Sequence, residues 1–416
     1  KKAISALYDF ENKEGVFADV HRAFKFSVLL LNGRDRQTDD ADFVFFARSI
    51  EDLKPRDRHI RLTARDLKLL NPNTRTCPIF RTRRDCELTK RIYRNMPILI
   101  DENRKTGGNP WAIKFVRMFD QTNDAEHFRT AQALKDDGFQ LEGNRWLRRK
   151  EIYLPLYEAK MIQAFDHRAA SVIVEGANWM RQGQTEETTL VMHQNPEFCA
   201  APRFWVAQTD VLERRGGEDR EAFLAMKDVT SPTNQRTMIA SFIPWSAVVN
   251  SAPLIVTTNG IDSRKGCCLL ANLNSFAYDF IARQKVGGLH LNFFIVEQLP
   301  TLPPDRYDEK CPWDKKQTLE KWISERVLKL TCTANDMRPL AEAAGFKEGV
   351  HKWNEAERQK LRAELDAAYF HLYGLARDEV DYVLDQFQGV VKQDEAHGRP
   401  GPIRSAILEA YDALQA

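Results

Sequence analysis

The stretch NRWLRRKEIYLPLYEAKMIQAFDHR, residues 144–168, organises the reading of this chain. Pro155 suits the first turn of a helix, whose N–H groups lack intrahelical acceptors in any case. From Leu156 onward the apolar residues Tyr157, Met161 and Phe165 recur every four positions, with Ile162 widening the face. That period predicts an amphipathic helix. Lys160, Gln163 and Asp166 fall on its other side, and Glu158 sits in the first turn, where negative charge suits the helix dipole. Arg145, Arg148, Arg149 and Lys150 precede the segment, and His167 and Arg168 close it.

Outward from this stretch the chain is long enough, at 416 residues, for two or three domains. Hydrophobic residues make up 43% and charged residues 29%, enough for real cores under a solvated surface. Net charge is only +2, so its distribution carries more information than its sum. Residues 54–104 hold 14 Lys/Arg against 6 Asp/Glu, a local +8, whereas residues 305–416 hold 17 against 21, a local −4. The seven cysteines include no C-x-x-C pair, and their odd number fits a reducing cytoplasm better than secretion. No run of 18 apolar residues is present, so no membrane partner is expected. The chain opens at Lys1-Lys2 without Met, which reads as a piece of a longer protein.

Residues 1–50 contain two β-rich runs, Phe24 to Leu31 and Phe43 to Phe46, separated by the polar segment from Gly33 to Asp42. They predict a hairpin on the edge of a sheet whose remaining strands lie elsewhere. In the basic stretch, Asp85 is positioned to cap a helix running through Leu88 and Ile92 to Tyr93, and Pro97 stops it. Trp111 to Phe119 is an apolar run, and Ala125 to Lys135 suits a short helix. Phe204 to Val206 and Thr237 to Pro244 read as strands, Arg214 to Asp219 as a polar loop, Leu269 to Phe280 as a helix, and Leu289 to Val296 as a strand. In the last region Asn354 can cap a helix with the face Leu361, Leu365, Tyr369 and Leu372, closed by Gly374, and two more helices follow.

Several segments also match in wording. LPLYEAKMIQAFDHR (154–168) resembles a segment of large adenine-N6 DNA methyltransferases of restriction–modification and phage-defence systems, of the type IIG, BREX and DISARM kinds. YDFENKEGVFADVHRAFKFSVLLL (8–31) resembles the last strands of their catalytic domain. NTRTCPIFRTRRDCELTKRIYRN (73–95) resembles their interdomain linker, and DVTSPTNQRTMIASFIP (228–244) a recurrent segment of their recognition domain. LLANLNSFAYDFIARQKVGGLHLNFFIVEQLPTLPP (269–304) resembles an ending they share with type I specificity subunits.

The resemblance implies an α+β chain. Residues 1–50 would be edge strands of a Rossmann-like methyltransferase sheet, 51–144 a basic linker region, 145–304 a mixed α/β target-recognition domain, and 305–416 a helical C-terminal region. Double-stranded DNA is the implied partner, with other subunits of a defence complex docking through 305–416. Phe17 would stack on a flipped adenine, since an aromatic face suits an unstacked base. The cofactor of such a protein is S-adenosylmethionine. Neither an Asn/Asp-Pro-Pro-aromatic motif nor a cofactor-binding glycine loop occurs here, so the catalytic core would lie upstream.

Reading base edges and gripping phosphates needs Arg, Lys, Asn, Gln, Ser or Thr. The candidates are Lys160, Arg168, Asn234, Arg236, Arg264, Lys265, Arg283, Lys285, His290 and Asn292, with Gly260 to Gly266 as a groove-facing loop. No zinc spacing, P-loop or G-x-S-x-G is found, and Glu158-Ala-Lys160 is no nuclease centre on a predicted helix. A non-enzymatic module docking a partner in a defence complex is the alternative, and a nuclease component the third reading.

Overall fold

The computed structural model describes residues 3–33, 35–175, 183–216, 221–258 and 262–415. The chain is mixed α+β, with several small sheets and many helices among the described residues. It divides into two compact units. Unit 1 comprises residues 1–108, 284–287 and 294–301, and unit 2 comprises 109–283, 288–293 and 302–416. Gly217, Glu218 and Asp219 of the polar loop and Gly260 and Ile261 of the candidate groove-facing loop lie outside the described residues.

Unit 1 is built on a four-stranded sheet in the order β2-β1-β3-β4, with β1 Ile4–Glu11, β2 Lys25–Leu31, β3 Asp40–Ala47 and β4 Ile60–Thr63. β1 runs antiparallel to β2 and parallel to β3. The expected hairpin between the two apolar runs is therefore not formed, because β1 lies between them. The run ISALYDFE carries fewer consecutive apolar residues than its neighbours, yet Phe10 and Ala6 are buried on it. Phe10, Val44 and Ala47 form a core with Tyr8, Phe26 and Leu53 packed against it.

The expected helix is present as Arg83–Asn95, but it starts earlier than a cap at Asp85 would place it. Thr82 is the N-cap, accepting from the Asp85 N–H at 3.1 Å, while the Asp85 carboxylate accepts from the Thr82 N–H at 2.9 Å. Each side chain satisfies a donor that the first turn leaves over. Residues 294–301 belong to the same unit through the backbone: the Leu99 N–H donates to the Leu299 carbonyl, and Ile98 bridges Pro300.

In unit 2 the organising stretch is not a helix. Glu151–Tyr157 is a strand of a sheet whose order is Trp205–Ala207, Glu151–Tyr157, Arg145–Arg148, Gln140–Glu142. A further strand, Ala247–Val248, pairs parallel to Leu156 and Tyr157. Pro155 is tolerated because its missing donor falls in a gap: Arg145–Arg148 pairs only as far as Tyr153, and Ala247–Val248 begins opposite Leu156. Beyond Tyr157 there is one 3-10 turn, Ala159–Met161, and Phe165 adopts a positive φ of 61°. Tyr157, Met161 and Phe165 are all buried, so their spacing identified core positions correctly while their backbone went to long-range partners. The Val249 N–H donates to the Tyr157 carbonyl, and the Phe165 N–H donates to the Ala240 carbonyl.

A second sheet in unit 2 joins Ala240–Pro244, Ala222–Met226, Leu254–Thr257 and Ile113–Val116 in that order, and the two sheets share one core. The expected helix from Leu269 to Phe280 is two helices, Ser263–Asn274 and Phe276–Ala282, broken where Ser275 turns extended and caps the second. Leu289 to Val296 is not a strand: His290 makes a single bridge to Val229, and Phe293–Val296 is a helical turn. The C-terminal region is helical apart from a short hairpin at Lys310–Cys311 and Asp314–Thr318. Asn354 caps Glu355–Leu372 by accepting from the Glu357 N–H, and Gly374 supplies the positive φ of 68° after it. No described helix is long and apolar enough to cross a membrane.

Candidate nucleic-acid interface

In unit 1 the segment after β1 is a loop wound around one buried amide. The Asn12 side chain, fully buried, donates to the carbonyls of Phe17 (3.0 Å) and Val20 (2.8 Å) and accepts from the Phe17 N–H (2.9 Å). Gly15, with φ 76°, makes the turn this winding requires. The loop presents Phe17 half-exposed, edge-on to Phe26 at 4.8 Å, and Phe26 in turn stacks on its cross-strand partner Phe10 at 5.0 Å. An Asn12→Ala variant is expected to lose about 1–3 kcal/mol, the cost of buried groups left unpaired. Faster proteolysis within residues 13–24, read by mass spectrometry, checks it; unchanged cleavage would remove Asn12 from this role.

A second aromatic of unit 1 escaped the sequence reading. Phe46, partly buried, has φ 57°, in the left-handed region that a bulky residue rarely adopts, at the point where the β1–β3 register shifts. Two cations lie over its ring, the Arg81 guanidinium 4.2 Å and the Lys25 ammonium 5.3 Å from the centroid. No local sequence signal marks a bulge, because the register of two strands far apart in the chain creates it. Exposed Arg65, Lys68, Arg75, Arg94, Arg104 and Lys105 add to the positive surface of this unit.

The candidate recognition residues separate by how their polar atoms are used. Arg168 is wholly buried and donates to the carbonyls of His193, Asn195, Phe198 and Thr333. Lys285, in unit 1, is partly buried, and its ammonium donates to the Leu70 and Gln298 carbonyls and the Asn71 amide oxygen; desolvation pushes its pKa down. Arg236 and Arg283 both face the buried Asp279. Arg264 and Lys265 belong to the first turn of Ser263–Asn274, bonded to the Ala344 carbonyl and to Asp308. Lys160 donates to the Gly183 carbonyl and lies 3.2 Å from Glu158, which also holds buried Arg203.

Asn234 is exposed, His290 is more than half exposed, and Asn292 is half-buried. His290 approaches Asp228 at 3.1 Å, and Arg117 lies 4.0 Å from the same carboxylate oxygen and 4.7 Å over the Phe293 ring. The structure thus groups His290 with half-exposed Arg117, a residue concealed in the sequence by the apolar run around it. The one trio of described side chains close enough to share a cation, Asp124, Glu126 and His127, is engaged in ion pairs to Arg214 and Asp210.

No protein-family model matches the chain, and no curated protein matches it.

Proposed function

We propose that this chain is the DNA-recognition portion of a site-specific adenine-N6 DNA methyltransferase of a cytoplasmic restriction–modification or phage-defence system. It binds duplex DNA and positions a flipped adenine for a catalytic core upstream that uses S-adenosylmethionine. The observation carrying this reading is Phe17, an exposed ring on a loop that a buried asparagine holds in shape. Such a ring stacks an extruded base without rearranging first.

Strand β2 supports the upstream core. Among the described residues it has one neighbour, β1, and Val28, Leu29, Leu30 and Leu31 are exposed on both of its faces. Consecutive apolar residues on both faces are the pattern of a strand buried between helix layers in a parallel α/β sheet. We read residues 3–63 as the closing strands of that Rossmann-like sheet, and the two-sheet core of unit 2 as the target-recognition domain.

Binding of a duplex by the whole chain is expected to weaken with salt, log Kd rising linearly against log salt with a slope of about +0.9 per phosphate contacted. In the full-length protein, Phe17→Ala is expected to lose the fluorescence rise of 2-aminopurine at the target position, with stacking worth about 1–3 kcal/mol. Absence of duplex binding at low salt, or base extrusion unchanged without the Phe17 ring, defeats the reading.

A further inference from the structure

Unit 2 contains a cavity of about 350 Å³ between the helices Phe276–Ala282, Glu355–Leu372 and Pro402–Ala413, within the size range of small-molecule sites. Its wall is largely apolar, including Phe276, Phe387, Val390 and Ile407. Asp366 stands in that wall, 7% exposed. Its Oδ1 accepts the Phe276 N–H at 2.8 Å, and no described residue donates a hydrogen bond to its Oδ2.

Two arginines line the same cavity, and neither donates a hydrogen bond to Asp366. Arg236 gives its Nε to Asp279 and a terminal nitrogen to the Asn274 carbonyl, with its guanidinium 4.0 Å from the Phe276 centroid. Arg362 gives a terminal nitrogen to Glu355, another residue of the wall, at 3.4 Å, and its buried Nε has no hydrogen-bond partner. A more than nine-tenths buried carboxylate therefore faces a mostly apolar space with one oxygen unused. Burial drives its pKa up to about 6, which Arg236 and Arg362 oppose and Asp279 reinforces. An acid so placed is ionised at pH 7.5 at a cost to stability, and such perturbed groups in clefts mark binding sites.

We propose that this cavity binds a small amphipathic amine, with its ammonium on Asp366 Oδ2 and its apolar body against Phe276, Phe387 and Ile407. A charge-assisted N–H···O bond satisfies the open oxygen and neutralises the buried charge together. The site is independent of the DNA reading.

Tryptamine and its uncharged counterpart tryptophol are suitable probes, titrated calorimetrically into the whole chain at pH 7.5. Tryptamine is expected to bind more tightly than tryptophol, and Asp366→Asn to weaken tryptamine at least about tenfold while leaving tryptophol within about twofold. Tryptamine binding is expected to weaken as pH falls from 7.5 to 5, as Asp366 takes a proton. Ala406→Phe, which fills the cavity, is expected to remove binding of both. An acid raised by burial costs stability as pH climbs from its unfolded value to its folded one. Asp366→Asn is therefore expected to melt higher than the parent at pH 7.5, with the difference narrowing below about pH 6 and closing only as pH falls into the ordinary carboxylate range at about 4. Equal binding of the two probes, or tryptamine affinity unchanged in Asp366→Asn, overturns the proposal. A lower melting temperature for Asp366→Asn at pH 7.5 does so too, since it would make the carboxylate a structural acceptor for Phe276 alone.

Discussion

Replacing Arg168 by leucine is expected to cost unit 2 about 3–5 kcal/mol of folding stability, the range for removing one member of a buried charged network. The side chain reaches four carbonyls, at 3.0 Å (His193), 3.0 Å (Asn195), 2.9 Å (Phe198) and 3.2 Å (Thr333). Leucine donates to none of them: the carbonyls of buried His193 and Thr333 lose this donor, while the exposed Asn195 carbonyl keeps the Phe198 N–H. Asp166 and Asp336, which the Arg168 charge helps to hold, are also buried. Both keep a histidine partner in the variant, Asp166 with His193 and Asp336 with His167, each at 3.0 Å. Lysine at 168 retains the charge but not the planar fork, so an intermediate loss is expected. All eight tryptophans lie in unit 2, so their fluorescence in a urea titration reports this unit alone. A lower urea midpoint at unchanged slope is the expected result. Wild-type stability with weakened, less salt-sensitive duplex binding would mean instead that Arg168 meets phosphate.

The second large effect is expected at Asp279, again about 3–5 kcal/mol for alanine, because a paired buried charge is removed and its partners stay behind. Asp279 is fully buried and accepts from the Thr237 N–H (3.1 and 3.0 Å), the Met238 N–H (3.3 Å) and Arg236 Nε (2.9 Å). Arg283 Nε lies 3.7 Å away. One carboxylate thus joins the Phe276–Ala282 helix to the segment leading into Ala240–Pro244. Alanine strands two backbone donors and two guanidinium groups. Asp279→Asn keeps one acceptor oxygen and is expected to lose less. The same fluorescence titration checks both variants; an alanine variant within about 1 kcal/mol of the parent, the mean single-mutation effect, would show that water replaces the carboxylate.

Both residues sit in stretches whose wording first suggested DNA contact or bear on one that did. Arg168 closes the DHR triplet, and Arg236, the partner of Asp279, lies in DVTSPTNQRTMIASFIP. Charge and residue type mark a side chain as able to meet phosphate equally well whether it faces solvent or a carbonyl. The Arg168–Thr333 bond spans 165 positions, and nothing local encodes it. Phe17 lies on a loop that closes within 13 residues, from Asn12 to Phe24, whereas the Phe46 ring is placed by how β3 pairs with β1.

Local chemistry in the chain is enough to specify the helix starts at Thr82 and Asn354, the stop after Gly374, and the core positions Tyr157, Met161 and Phe165. These depend on neighbours within a few bonds, or on an apolar side chain's need for cover, whatever the backbone does. The strand identity of Glu151–Tyr157, the insertion of β1 between β2 and β3, and the division of cations into surface and interior were settled in three dimensions. Hydrogen bonds from distant segments outweighed local spacing there, because a buried N–H or C=O must be paired by whatever residue folding brings to it.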